Sequence, residues 1–93
     1  MRLDKYLKVS RLIKRRTLAK EVSDQGRISI NQRPAKASSE VKQGDILDIE
    51  FARTSLQVRV LTLKESAKKS EATEMFEVIS EHKKQDRTEE FWN

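Results

Sequence analysis

Residues 1–36 combine two properties that together leave few folds open: a dense positive charge and a helical apolar stripe running through it. Arg2, Lys5, Lys8, Arg11, Lys14, Arg15, Arg16, Lys20, Arg27, Arg33 and Lys36 face only Asp4, Glu21 and Asp24, so this segment carries +8, while the rest of the chain carries −3. Charge alone would describe a disordered basic arm. Leu3, Tyr6 and Leu7, however, recur at i, i+3, i+4, which places one buried stripe on a short helix over about residues 2–9. Lys5 and Lys8 fall off that stripe. The segment is therefore a folded basic face, and charge confined to one side points to a polyanionic partner.

The following pattern predicts a second helix over about 14–25, with Leu18, Ala19 and Val22 inward and Gly26 as the left-handed residue that stops it. RISIN alternates as a half-buried strand, with Ile28 and Ile30 on one face. Asn31-Gln32-Arg33-Pro34 reads as a turn, Asn tolerating positive φ and Pro34 suiting a sheet edge. A second turn at Gln43-Gly44 precedes two strands, ILDIEF and LQVRVLTL, which can pair as a hairpin across residues 52–55. These elements close upstream of residue 64, which divides the chain into a domain over 1–63 and an appendage over 64–93. In the appendage a polar linker leads to Ala72, Met75, Phe76 and Ile79 at i, i+3, i+4, i+7. That spacing predicts an amphipathic helix over about 71–82, capped by Ser70. The residues after it carry mixed charges without periodicity and read as disordered.

Several function classes drop out. At 93 residues with 35% hydrophobic content there is room for one thin core. The chain has no cysteine, which removes disulfides and thiolate metal sites and suits a reducing cytosol. It has no run of the eighteen or so apolar residues a membrane span needs, and its N-terminus starts on an amphipathic pattern where a signal peptide would be apolar. His82 is the single histidine and stands without triad or metal-ligand spacing; only Gly26 and Gly44 are available, so no phosphate-cradling glycine loop exists. No enzyme, cofactor or metal site is expected. Arg11, Lys14, Arg15 and Arg16 crowd into six residues with no acid between them. Such repulsion is tolerated where phosphates neutralise it, and arginine adds a planar fork that grips phosphate bidentately. Tyr6, Phe51 and Phe76 are assigned to packing; Phe91 and Trp92 are either a frayed end or an apolar anchor for a protein partner.

In order, R-L-D-K-Y-L, S-R-L-I-K-R-R-T-L-A-K, D-Q-G-R-I-S-I-N, A-K-A-S and V-K-Q-G-D-I-L resemble the S4 RNA-binding domain over residues 2–51. The resemblance implies an α+β fold of the S4 (alpha-L) type: two short N-terminal helices on a small antiparallel sheet, here followed by a C-terminal helix. The length, the basic KVSRLIKRRTLAKEV segment and EMFEVI are similar to the RqcP family of bacterial ribosome-associated quality-control factors. That similarity implies a non-catalytic, cytoplasmic, ribosome-associated adaptor, expected to be a monomer. It would bind large-subunit rRNA and peptidyl-tRNA on obstructed large subunits and support an RqcH-like partner in adding a C-terminal alanine tail. Arg2 and Arg16 match the basic positions expected to matter first, supplemented by Arg11, Arg15, Lys14, Lys5, Lys8 and Lys36. Gln32 departs from the family, which often has glycine after the asparagine of this turn. The rival readings are a heat-shock-type S4 protein that repositions tRNA on stalled large subunits, and a protein-interaction module acting through the C-terminal helix.

Overall fold

A computed structural model describes residues 1–65 and 67–83. Two helices open the chain, α1 (Leu3–Val9) and α2 (Arg16–Asp24). Four strands follow, β1 (Ile28–Ile30), β2 (Arg33–Pro34), β3 (Ile46–Glu50) and β4 (Thr54–Val60). A single helical turn, α3 (Lys69–Ala72), leads to the last strand, β5 (Phe76–Lys83). The strands form one antiparallel sheet in the order β2-β1-β3-β4-β5. Leu47, Ile49, Val58 and Val60 project from one face of it onto Leu3, Tyr6 and Leu7 of α1, and all seven are within a hundredth of full burial. The α+β arrangement expected of the N-terminal half is thus present.

A residue in the left-handed region follows each helix, Arg11 (φ 62°) after α1 and Gly26 after α2. At the end of α2, Gly26 at φ 79° donates its N–H to the Ser23 carbonyl and Arg27 donates to Val22, the paired bonds of a left-handed helix stop. The β1–β2 turn holds both Asn31 (φ 51°) and Gln32 (φ 72°) in the left-handed region, as the tight turn between right-twisted strands requires. Gln32 therefore adopts the backbone that a glycine would occupy more cheaply. Asn31 fastens this turn: its Oδ1 accepts from the Ile46 N–H at 2.9 Å and its Nδ2 donates to Asp45 Oδ1 at 3.0 Å.

Three expectations are corrected. First, α2 begins at Arg16 and Leu18 lies 48% exposed, outside the core. The helix turns its small residues inward: Ala19 and Ser23 are fully buried and Val22 half-buried. Ser23 can enter the interior because its hydroxyl donates to the Ala19 carbonyl at 2.7 Å. A leucine at that contact would hold the two helices apart. Leu18→Ala is accordingly expected to change stability by less than about 1 kcal/mol, whereas Leu7→Ala should cost about 2–4 kcal/mol. Paired thermal melts of the two variants distinguish them.

Second, residues 76–83 are a strand where a helix over 71–82 was expected. The helical spacing is used for one turn only, which buries Ala72 and Met75. Beyond it, the open side of β4 offers a row of backbone donors and acceptors, and the adjacent β-branched Val78 and Ile79 suit a strand better than a helix. The pairing runs from Val60↔Phe76 to Thr54↔Lys83. A bulge interrupts it: Val58 opposes Val78 and Gln57 opposes Ser80, so Ile79 has no register partner. Third, α3 starts after Lys68 and not after Ser70; the Glu71 carboxylate accepts from the Lys68 N–H at 3.1 Å. That bond, with the Lys64 ammonium nearby, holds the Glu71 carboxyl below its usual range. The expectation for residues after Lys83, Phe91 and Trp92 included, falls outside the described residues.

Met75 joins the C-terminal segment to α1. The Tyr6 phenol, wholly buried, donates to the Met75 carbonyl at 2.8 Å. Burial raises the phenol's pKa far above its ordinary value, so it remains a neutral donor.

Candidate nucleic-acid interface

The basic face is organised by an acid. Asp4, in the first turn of α1, has a side chain only 4% exposed, although it is charged. Its Oδ1 accepts from the Lys5 N–H at 2.8 Å and lies 3.3 Å from Arg2 Nε; Oδ2 lies 3.4 Å from Arg2 Nη2 and 3.6 Å from Arg16 Nε. One carboxylate thus holds two guanidinium groups, Arg2 from just before α1 and Arg16 from the first position of α2. Each arginine side chain remains 53% exposed, so one edge is anchored while the rest faces water. Fixing a long side chain in this way removes rotamer entropy before any ligand arrives. The first amides of α1 are already engaged, Leu3 donating to Ser39 and Asp4 to Ala37. An anion at this end of α1 would therefore meet side chains and not free helix amides.

The other basic residues divide by surroundings. Arg15 and Lys14 are exposed in the connection leading into α2, and Arg11 and Lys8 are exposed at the end of α1. Lys36 is exposed beside Ala37, whose carbonyl accepts from the Asp4 N–H, so it borders the Asp4 cluster. Lys5 is different. It hydrogen-bonds to Glu65, and that bond and charge hold the Glu65 carboxyl below its usual range. Its ammonium is already engaged by the segment that follows β4.

Sequence analysis counts Asp4 only as one of three anions and misses its role as the common partner of Arg2 and Arg16. The available signal was the R-x-D run opening the chain, with Arg16 one helix away. The reverse side of the sheet presents different chemistry. Ser29, Asp48, Gln57 and Ser80 are successive cross-strand neighbours there, and Gln57 Nε2 donates to Asp48 Oδ1 at 3.0 Å. They line a groove of about 350 Å³ that also includes His82. Among the described residues no three His, Cys, Asp or Glu side chains are grouped to hold a metal ion, and no helix is long and apolar enough to cross a membrane.

The S4 domain family matches residues 1–47, the stretch that contains α1, α2 and the Asp4 cluster. An RQC P-site tRNA stabilizing factor of Bacillus subtilis is 61% identical over 83 residues, covering 89% of this chain and 96% of that protein. Its namesake from Streptococcus pneumoniae is 57% identical over 81 residues, covering 87% and 92%. Among solved structures, the trimeric heat shock protein 15 of Vibrio cholerae superposes with a TM-score of 0.79 over 86% of this chain and 82% of its own, at 23% identity, and so shares the fold. With the S4 match over half its length and relatives this similar along nearly all of theirs, the chain belongs to the S4 domain family and, within it, to the family of RQC P-site tRNA stabilizing factors.

Proposed function

We propose that this chain is a non-catalytic RNA-binding adaptor of ribosome-associated quality control. It binds obstructed large ribosomal subunits and steadies the peptidyl-tRNA they still hold, touching large-subunit rRNA and tRNA together. An RqcH-like protein then extends the stalled chain with alanine. The adaptor acts in the cytoplasm as a monomer. The observation that carries this reading is the pair of half-exposed arginines held by the buried Asp4 carboxylate. A pre-set pair of guanidinium forks suits the rigid phosphate backbone of a folded RNA, and its cost in ordering is met during folding. The relatives' name, which speaks of stabilizing P-site tRNA, agrees with that chemistry. Arg2 and Arg16 are the primary contacts, with Arg11, Lys14, Arg15, Lys8 and Lys36 adding phosphate neutralisation. Lys5, held by Glu65, contributes less.

The test is a salt titration of binding to purified large subunits that carry peptidyl-tRNA. With about six phosphates neutralised, log K should fall with log salt at a slope of roughly −4 to −5. A slope near zero would remove the electrostatic basis of the reading. Enrichment of large-subunit rRNA and alanine tRNA with the tagged protein would support it further.

A further inference from the structure

The last residue of α2, Asp24, places an acid at the end of a helix where the macrodipole favours a cation. It is exposed, and among the described residues no ion pair accounts for it. Its carboxylate instead reaches out of the helix: Oδ1 accepts from the Ala37 N–H at 3.1 Å, 13 positions further along the chain. Ala37 is buried, and its carbonyl accepts from the Asp4 N–H at 3.2 Å. One residue thus joins the end of α2 to the acid that holds Arg2 and Arg16. The segment around Ala37 lies along the start of the chain. Leu3 donates to the Ser39 carbonyl at 2.7 Å, Val41 donates to Met1 at 2.8 Å, and Arg2 forms a β-bridge with Glu40. Residues 35–45 lie between β2 and β3 and belong to no helix or strand, so bonds to the rest of the fold set their position.

We infer that Asp24 is a positioning residue for the arginine pair: it holds Ala37, Ala37 holds the start of α1, and the start of α1 sets where the Asp4 carboxylate stands between Arg2 and Arg16. The inference rests on the RNA-binding reading above and deepens it with a residue that itself meets no RNA. Arg16 and Asp24 are the two ends of one helix, about 12 Å apart along its axis. Each reaches Asp4 by its own route, Arg16 at the carboxylate and Asp24 through Ala37 at the backbone N–H. An acid anchored at both side chain and backbone holds its two guanidinium groups in one arrangement. Loss of the backbone anchor releases conformations that binding must order again. That role explains an acid at the unfavourable end of the helix dipole.

Asp24→Ala should bind large subunits carrying peptidyl-tRNA about 3- to 10-fold more weakly, although bulk electrostatics predicts tighter binding once an anion is gone. Asp24→Asn removes the same charge, keeps the Oδ1 acceptor, and should recover most of that loss. A double-variant cycle with Asp4→Asn gives the reading that a merely structural role would not move. In the Asp4→Asn background, Asp24→Ala should change affinity by less than about 2-fold, because the arrangement it supports is already gone. Amide exchange of Asp4 and Ala37 should quicken in Asp24→Ala while that of Val58, in the core of the sheet, stays parental. Parental or tighter binding by Asp24→Ala overturns the inference. So does an equal loss in both backgrounds, an Asp24→Asn variant as weak as Asp24→Ala, or faster exchange throughout the fold, which would make the role one of stability. Arg16→Ala measured alongside locates any failure. If Arg16→Ala and Asp24→Ala both bind like the parent, the RNA-binding reading of this face fails; if Arg16→Ala alone weakens binding, only the positioning role fails.

Discussion

A chain ending at Leu63 is expected to lose its cooperative melting transition. The deletion removes Met75, wholly buried against Tyr6, and losing a buried methionine side chain costs about 2–5 kcal/mol. It also removes the Met75 carbonyl, which among the described residues is the acceptor of the Tyr6 hydroxyl, at about 1–3 kcal/mol for an unsatisfied buried donor. The outer side of β4 is uncovered as well. Against a total stability on the order of 5–14 kcal/mol for a domain of this size, these losses leave little. Tyr6→Phe serves as the graded control: it deletes the donor and keeps the ring, and should cost only about 1–2 kcal/mol. Circular dichroism melts of the three proteins decide the point. A truncated chain that unfolds cooperatively within a few degrees of the parent would mean that the sheet closes without β5.

Asp4→Asn is expected to weaken binding to large subunits by about 10- to 100-fold while making the protein more positive. Simple electrostatics gives the opposite sign. Removing an anion from a basic face should tighten its hold on RNA, by roughly one extra charge's worth of counterion release. The geometry overrides this because Asn cannot hold two guanidinium groups as a carboxylate does, and Arg2 and Arg16 then regain rotamer freedom that binding must remove again. The variant keeps the acceptor for the Lys5 N–H, so α1 should still form. Affinity measured at several salt concentrations gives both quantities. Tighter binding by Asp4→Asn would show that bulk charge governs recognition and that fixing the arginines matters little.

The N-terminal half was largely legible because local rules and tertiary packing agree there. The i, i+3, i+4 stripe buries Leu3, Tyr6 and Leu7, Gly26 takes the left-handed stop, and Ile28 opens a strand. Where the two levels part, sequence reading fails in recognisable ways. Leu18 has the right hydrophobicity for the interior, but close approach of α1 and α2 selects residue size, and Ala19 and Ser23 take the contact. From 72 to 79 the same apolar residues satisfy a helical period, yet what decides the matter is the unpaired edge of β4, which no local window contains. The candidate interface was half legible. Arg2 and Arg16 stand out by composition and family resemblance, but their common partner emerges only when α1 and α2 bring residues 4 and 16 together.

The hydrogen bond between Tyr6 and Met75 spans 69 positions of sequence, which makes it a statement about the order of events during synthesis. A helix as short as α1 has little stability of its own, and its inward face is completed by a residue the ribosome adds near the end of the chain. Most of the polypeptide must therefore exist before the first helix can settle, and the loop entropy of that closure has to be overcome before the contact repays it. A copy interrupted before residue 75 would carry all eleven N-terminal cations and no finished core on which to arrange them. Such a fragment retains charge without shape. Competence to grip RNA in a defined pose thus arrives late and all at once, which separates finished molecules from half-made ones by conformation alone.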